Sequence, residues 1–161
     1  MVNQRNLAIC NLPDLSSLRN LQHLDLSGNN QLLANQQTID QLSALSDGLS
    51  KLRFLDLSGT GLSDAEWIFQ FPSLAILRIS SNNLNRLWKS SQFEPACLKL
   101  KVLNVSHNKL IQLPPEIRYL TNLKQLYIYN NKLAQLPTEI RYLTNLTELI
   151  AYANQLTDLP S

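Results

Sequence analysis

Only two cysteines, Cys10 and Cys97, occur in 161 residues, and they make neither a CxxC pair nor a paired framework. Such usage argues against a disulfide-stapled secreted scaffold and leads us to expect a reduced, cytosolic protein. Glycine occurs 4 times and never as GxGxxG or GxxxxGK[ST], so the loops that cradle phosphates are missing, and there is no HExxH. Charge of one sign is lacking too. The 14 Lys and Arg against 12 Asp and Glu leave +2, too little to steer the chain toward nucleic acid or an anionic membrane. No apolar run approaches the roughly 18 residues of a membrane span. The first residues hold no basic start leading into an apolar stretch, so no signal peptide is read there. The acceptor triplets Asn104–Ser106 and Asn145–Thr147 are therefore not expected to carry glycans.

What the chain does have is leucine at regular intervals. Apolar residues make up 44% of it, and its length suits one folded unit with a real core. The pattern LxxLxLxxNxL is clearest in LKQLYIYNNKL (Leu123 to Leu133) and LKVLNVSHNKL (Leu100 to Leu110). It recurs in LAILRISSNNL (Leu74 to Leu84), and in LRFLDLSGTGL (Leu52 to Leu62) with Thr60 in place of asparagine. LTELIAYANQL (Leu146 to Leu156) carries Ala151 at an apolar position, and LQHLDLSGNNQL (Leu21 to Leu32) has one extra residue. The copies start at residues 21, 52, 74, 100, 123 and 146, spaced 31, 22, 26, 23 and 23 residues apart.

These copies resemble the leucine-rich repeat. The spacers LPPEIRYLTN and LPTEIRYLTN resemble the 22–23-residue intracellular class found in Ras-group and Scribble-type proteins and in many bacterial ones. The resemblance implies an α/β fold: a curved right-handed solenoid with a parallel β-sheet on its concave face and short helices and irregular turns outside. The physics agrees. Leucines at repeat positions one, four and six face inward on a short strand, and one unit cannot bury them alone, so neighbours must stack. Asn29, Asn82, Asn108, Asn131 and Asn154 fall at the turn leaving each strand, where a buried amide can satisfy unpaired backbone groups; Thr60 has a hydroxyl for part of that task.

The whole chain, 1–161, reads as one domain, with an incomplete first repeat over 1–20. Ile9, Leu12, Leu15 and Leu18 match the back half of a repeat. Leu113, Ile117, Leu120 and Leu123 are spaced for a short convex turn that Pro114 and Pro115 would start. Leu62, Ala65, Ile68 and Phe71 follow the same inward track. Ile39, Leu42, Leu45 and Leu49 predict a helix of about two to three turns, with Thr38 as its cap and Gly48 as its stop. Neither end shows a capping unit, so a fragment, or an end covered by association, is expected.

Catalysis finds no support. His23 and His107 are far apart and share no cysteine or carboxylate cluster, so they read as polar residues of a strand face. Ser27, Ser58, Ser80 and Ser106 occupy one repeat position and read as a solvated row. Cys97 is a candidate thiol, but a buried cysteine in an irregular spacer explains it as well.

The concave face is more informative. Positions three, five, seven and eight alternate away from the leucines and should point outward. The outward side is small and polar at its amino-terminal end and aromatic in the last two repeats. Tyr127, Tyr129, Tyr152 and Ile150 are expected to form one exposed patch, and Phe54, Ile76 and Val102 a separate apolar row. Arg78, between Asp56 and Asn104, is either an interface anchor or a partner of Asp56. Grouped tyrosines suit interfaces, because they bury much area at low entropic cost and keep a hydroxyl. Aromatic and β-branched residues are also simply good strand formers. Stacked aromatics can bind single-stranded nucleic acid as well, but the basic residues nearby, such as Lys101 and Lys124, are too few for that mode.

The expectation is a non-catalytic module that binds a protein through its concave face, without cofactor or metal and with no nucleic acid or membrane partner. It would be a monomer or weak homodimer in the cytoplasm. By resemblance it would be a signalling scaffold or a bacterial effector, which would act inside a host cell. The alternative is the targeting part of a larger enzyme, a ligase or kinase.

Overall fold

In the computed structural model, the described residues are 2–3, 12, 14–88, 95–96 and 98–158. Seven short parallel strands join into one sheet in chain order: β1 Val2–Asn3, β2 His23–Asp25, β3 Phe54–Asp56, β4 Ile76–Arg78, β5 Val102–Asn104, β6 Gln125–Tyr127 and β7 Glu148–Ile150. Each of β2 to β7 holds positions three to five of a repeat copy. The leucine at position four is flanked by residues that face away from it, as a two-residue period requires. The register never slips: His23 stands beside Phe54, Phe54 beside Ile76, Ile76 beside Val102, Val102 beside Gln125 and Gln125 beside Glu148.

β1 adds a seventh strand that the repeat pattern does not announce. Val2 lies beside Leu24 and Asn3 beside Asp25, although no leucine motif surrounds them. Ile9, Cys10 and Cys97 lie outside the described residues.

The core runs the length of the solenoid behind the sheet. Leu24, Leu55, Leu77, Leu103 and Leu126 are buried, as are Leu26, Leu57, Ile79, Val105 and Ile128 at position six. The spacers cover this layer from the convex side. Leu62, Ala65, Ile68 and Phe71 are buried around a 3-10 turn at Glu66–Gln70. Leu113, Ile117, Leu120 and Leu123 do the same around Pro115–Tyr119, with Pro115 opening that turn. A third 3-10 turn, Thr138–Tyr142, packs against the second.

The long spacer forms α1, Gln36–Ala44, of the expected length, but its ends differ from the sequence reading. Asn35 is the cap: its side-chain oxygen accepts from the Gln37 amide at 2.9 Å, while Thr38 lies inside the helix and is buried. The helix stops at Leu45 in an ordinary right-handed conformation, before Gly48. Asparagine and threonine cap by the same chemistry, so the choice fell to whichever let Ile39 and Leu42 face the core.

The asparagine row is a ladder. Asn131 donates through its amide nitrogen to the Ile128 carbonyl and to the Val105 carbonyl of the preceding repeat, at 3.1 and 3.0 Å. Its oxygen accepts from the Leu110 amide at 3.0 Å. Asn82, Asn108 and Asn154 repeat this arrangement. Thr60 keeps the donor half, its hydroxyl reaching the Leu57 carbonyl at 2.7 Å. The acceptor half passes to its backbone carbonyl, which takes the Leu33 amide at 2.9 Å.

Candidate functional site

Position five of the repeat decides what the concave face can offer. In the DLS copies, Asp25 accepts from the Ser27 amide at 3.1 Å and its hydroxyl at 2.7 Å, and Asp56 accepts from the Ser58 amide at 3.0 Å. Asn104 closes on Ser106 in the same way. These side chains fold back on their own strand exits, as Asx turns do, so Asp25 and Asp56 are only 5% and 6% exposed. Arg78, Tyr127 and Ile150 cannot close that turn and project into the concavity instead. Arg78 is 47% exposed at its side chain, and its guanidinium is 3.9 Å from the Asp56 carboxylate, a loose pair of the kind that contributes little.

At the aromatic end, Tyr127 and Ile150 are register neighbours. Tyr129 and Tyr152 stack with ring centroids 4.8 Å apart and planes 16° from parallel. His107 sets its ring edge against Tyr129 at 5.2 Å. Tyr152 is the most open of the three tyrosine rings, 63% exposed. The Tyr127 hydroxyl donates to Glu148 at 2.8 Å, and the Gln125 amide donates to the same oxygen at 2.7 Å. Accepting from the hydroxyl, the Glu148 carboxylate pushes the Tyr127 pKa above its ordinary 10.0, with burial acting in the same direction.

The apolar row and the tyrosines meet in one groove of about 610 Å³. Of the sequence-predicted residues, Ile76, Arg78, Val102, Tyr127, Tyr129, Ile150 and Tyr152 line it. Phe54 does not. It sits beyond the groove's end, stacked on His23 with centroids 5.8 Å apart, and the Arg78 guanidinium carbon lies 5.6 Å from its ring centre. Sequence reasoning passed over Glu148, which accepts from the Tyr127 hydroxyl, Gln125, which donates to that same carboxylate, and His107, which packs against Tyr129. Their signal was available in the 23-residue offset, which makes Glu148 a diagonal neighbour of Tyr127 across the ladder. The groove offers flat rings, aliphatic side chains, phenol hydroxyls and one guanidinium, with Asp56, Asn104, Gln125 and two serines also in its lining. Among the described residues, no group of His, Cys, Asp and Glu is arranged to hold a metal ion.

Comparison with known proteins agrees with this architecture. A family model described as Leucine Rich Repeat matches residues 20–44, and one described as Leucine Rich repeats (2 copies) matches residues 98–142. A leucine-rich-repeat protein of Leptospira interrogans superposes with a TM-score of 0.71 at 31% identity, covering 89% of this chain and 34% of that one. The chain is a leucine-rich-repeat protein. Two further solved structures share the solenoid. Internalin C2 of Listeria monocytogenes has a TM-score of 0.68 at 22% identity, over 97% of this chain and 72% of that one. The ectodomain of the Arabidopsis thaliana membrane receptor kinase GASSHO1/SCHENGEN3, solved in complex with CASPARIAN STRIP INTEGRITY FACTOR 2, has a TM-score of 0.68 at 28% identity. The match covers 90% of this chain and 16% of the plant chain. This repeat protein therefore spans about a third of the length of its Leptospira relative. No curated protein matches it.

Proposed function

We propose that this chain is a non-catalytic recognition module that binds a protein partner through the carboxy-terminal half of its concave face. The observation that carries this reading is the tyrosine shelf. Tyr129 and Tyr152 stack into one flat, open surface, the Tyr127 hydroxyl is held by Glu148, and Ile150 lines the same groove beside Tyr127. Leucine-rich repeats generally serve as interaction modules, and the GASSHO1/SCHENGEN3 ectodomain was solved in complex with a partner. Rings already fixed by stacking and hydrogen bonds lose little freedom on binding, which favours them as anchors. Arg78 is the polar anchor of the groove, and Ile76 and Val102 give it an apolar floor. In this proposal the module needs no cofactor, takes neither nucleic acid nor membrane as partner, and is a monomer or weak homodimer. It works in the cytoplasm as a scaffold, or in a host cell as an effector. No helix among the described residues is long and apolar enough to cross a membrane.

Affinity capture with the chain and with a Tyr127→Ala/Tyr129→Ala/Tyr152→Ala variant, its fold checked by circular dichroism, tests the proposal. A partner identified by mass spectrometry should bind the variant at least about a hundredfold more weakly, since each of three truncated anchors removes on the order of 1–2 kcal/mol. Equal capture by both would move recognition off the tyrosine shelf. A second reading is the targeting part of a larger enzyme, since one similar structure is the ectodomain of a membrane receptor kinase. The full open reading frame decides it.

A further inference from the structure

A second surface has a composition of its own. The residues that lead into each strand, from two before position one through position two, form the edge of the sheet where the strands begin. Arg19, Lys51, Arg53, Lys99, Lys101 and Lys124 all lie there, and none of the 12 Asp and Glu residues does. All six are exposed. The Arg78–Asp56 pair is on the concave face, and among the described residues no carboxylate pairs with an edge cation. A net charge of +2 conceals this asymmetry, because the acids lie elsewhere in the sequence; Asp47 shares a hollow with Arg19 and Lys51 at the amino-terminal end of the edge.

Backbone hydrogen bonds fix the order along the edge. The Arg53 carbonyl accepts from the Ala75 amide, the Ala75 carbonyl from Lys101, and the Lys101 carbonyl from Lys124, each at 2.8 Å. Neighbours in this row are one strand spacing, about 4.8 Å, apart. At Ala75 and Ser73 the side chains are small. The row is interrupted there by a hollow of about 340 Å³, lined by Arg53 on one side, Lys99 and Lys101 on the other, and Asn122. Asn122 is oriented by its own amide, which donates to the Leu98 carbonyl at 2.8 Å.

We propose that this edge docks an acidic protein segment, which crosses the strand starts and places a carboxylate in the hollow between Arg53 and Lys101. A guanidinium takes a carboxylate in bidentate fashion, and the two ammonium groups opposite supply point charge. The shape favours a protein over other polyanions. A side chain enters a recess that a planar lipid surface bridges, and the edge positions hold no aromatic residue on which a base could stack.

The test is fluorescence anisotropy of a labelled oligoglutamate peptide at low salt. Three forms of the full chain are compared: the unaltered protein, Arg53→Glu/Lys101→Glu at the edge, and Lys109→Glu/Lys132→Glu at the opposite ends of the strands. The two variants change net charge equally, and thermal melts verify their folding; if the edge variant melts early, Arg53→Gln/Lys101→Gln is compared with Lys109→Gln/Lys132→Gln. The unaltered protein and the opposite-end variant should bind within about twofold of each other, and the edge variant about tenfold or more weakly, with affinity falling as salt rises. Equal losses in both variants would reduce the effect to net charge and overturn the proposal, as would no binding by the unaltered protein. Tighter binding to phosphatidylserine vesicles or to a single-stranded oligonucleotide, lost in the same edge variant, would overturn it in favour of a membrane or nucleic acid. A Tyr127→Ala/Tyr129→Ala/Tyr152→Ala variant that keeps peptide affinity would show that the edge acts independently of the concave groove.

Discussion

Position eight of the repeat is a backbone requirement before it is a choice of side chain. Gly28 and Gly59 meet it with φ of 77° and 64°, but Ser81, His107, Asn130 and Ala153 hold φ between 52° and 54°. A residue with a Cβ gives up about 1 kcal/mol to stay there. In exchange, His107 brings its ring edge to Tyr129, an arrangement glycine cannot offer. Tyr127 shows a second residue-scale effect. It keeps its proton more tightly in the folded chain than in the unfolded one, because Glu148 accepts from the hydroxyl. The contact therefore stabilises the fold below the ordinary value of 10.0, and that stability is lost as pH rises through the higher folded value. Glu148→Gln removes the charge, so an ultraviolet titration of phenolate formation should show one tyrosine ionising at lower pH than in the unaltered protein. An unchanged titration curve would mean that Glu148 does not hold the Tyr127 hydroxyl in solution.

At the scale of the element, the asparagine turn shows what a repeat needs and why part of the fold was legible. Leucine spacing alone locates β2 to β7, because burying one side of a strand demands period two and stacking demands a leucine at each position four. The helix was legible in length but not in its first residue, because Asn35 and Thr38 offer equivalent oxygens and only packing separates them. The side-chain closures of Asp25 and Asp56 were hidden for a similar reason. Alternation places them on the outward face, and nothing in a two-residue period says that they turn back to Ser27 and Ser58. The ladder itself can be tested. Asn131→Ala leaves the Leu110 amide without its partner, while the Val105 and Ile128 carbonyls keep the amides of Asn108 and Asn154. With one orphaned buried amide costing about 1–3 kcal/mol, urea denaturation should show a loss of roughly 2 kcal/mol. Asn131→Thr, which copies Thr60, should lose less, since the hydroxyl keeps the donor to the local carbonyl.

At the scale of the whole molecule, each repeat touches its neighbours and little else, so stability divides along the array. The 23-residue offset put Tyr129 and Tyr152 side by side on paper as it does in space. β1 was not legible, since Val2–Asn3 joins the sheet through backbone pairing without any leucine signature. The same one-dimensional logic sets how far an injury spreads. Leu126 and Leu149 occupy the same repeat position, but Leu126 is fully buried between β5 and β7 while Leu149 is 38% exposed. Leu126→Ala removes packing on two sides and should cost about 3 kcal/mol, whereas Leu149→Ala should cost about 1 kcal/mol. Hydrogen exchange separates this picture from a single all-or-none unit. Amides of β6 and β7 should lose protection in Leu126→Ala while those of β3 and β4 keep most of theirs. Uniform loss across the sheet would mean that the repeats unfold as one body, and the tyrosine shelf could then not loosen or tighten independently of the strands that carry the basic edge.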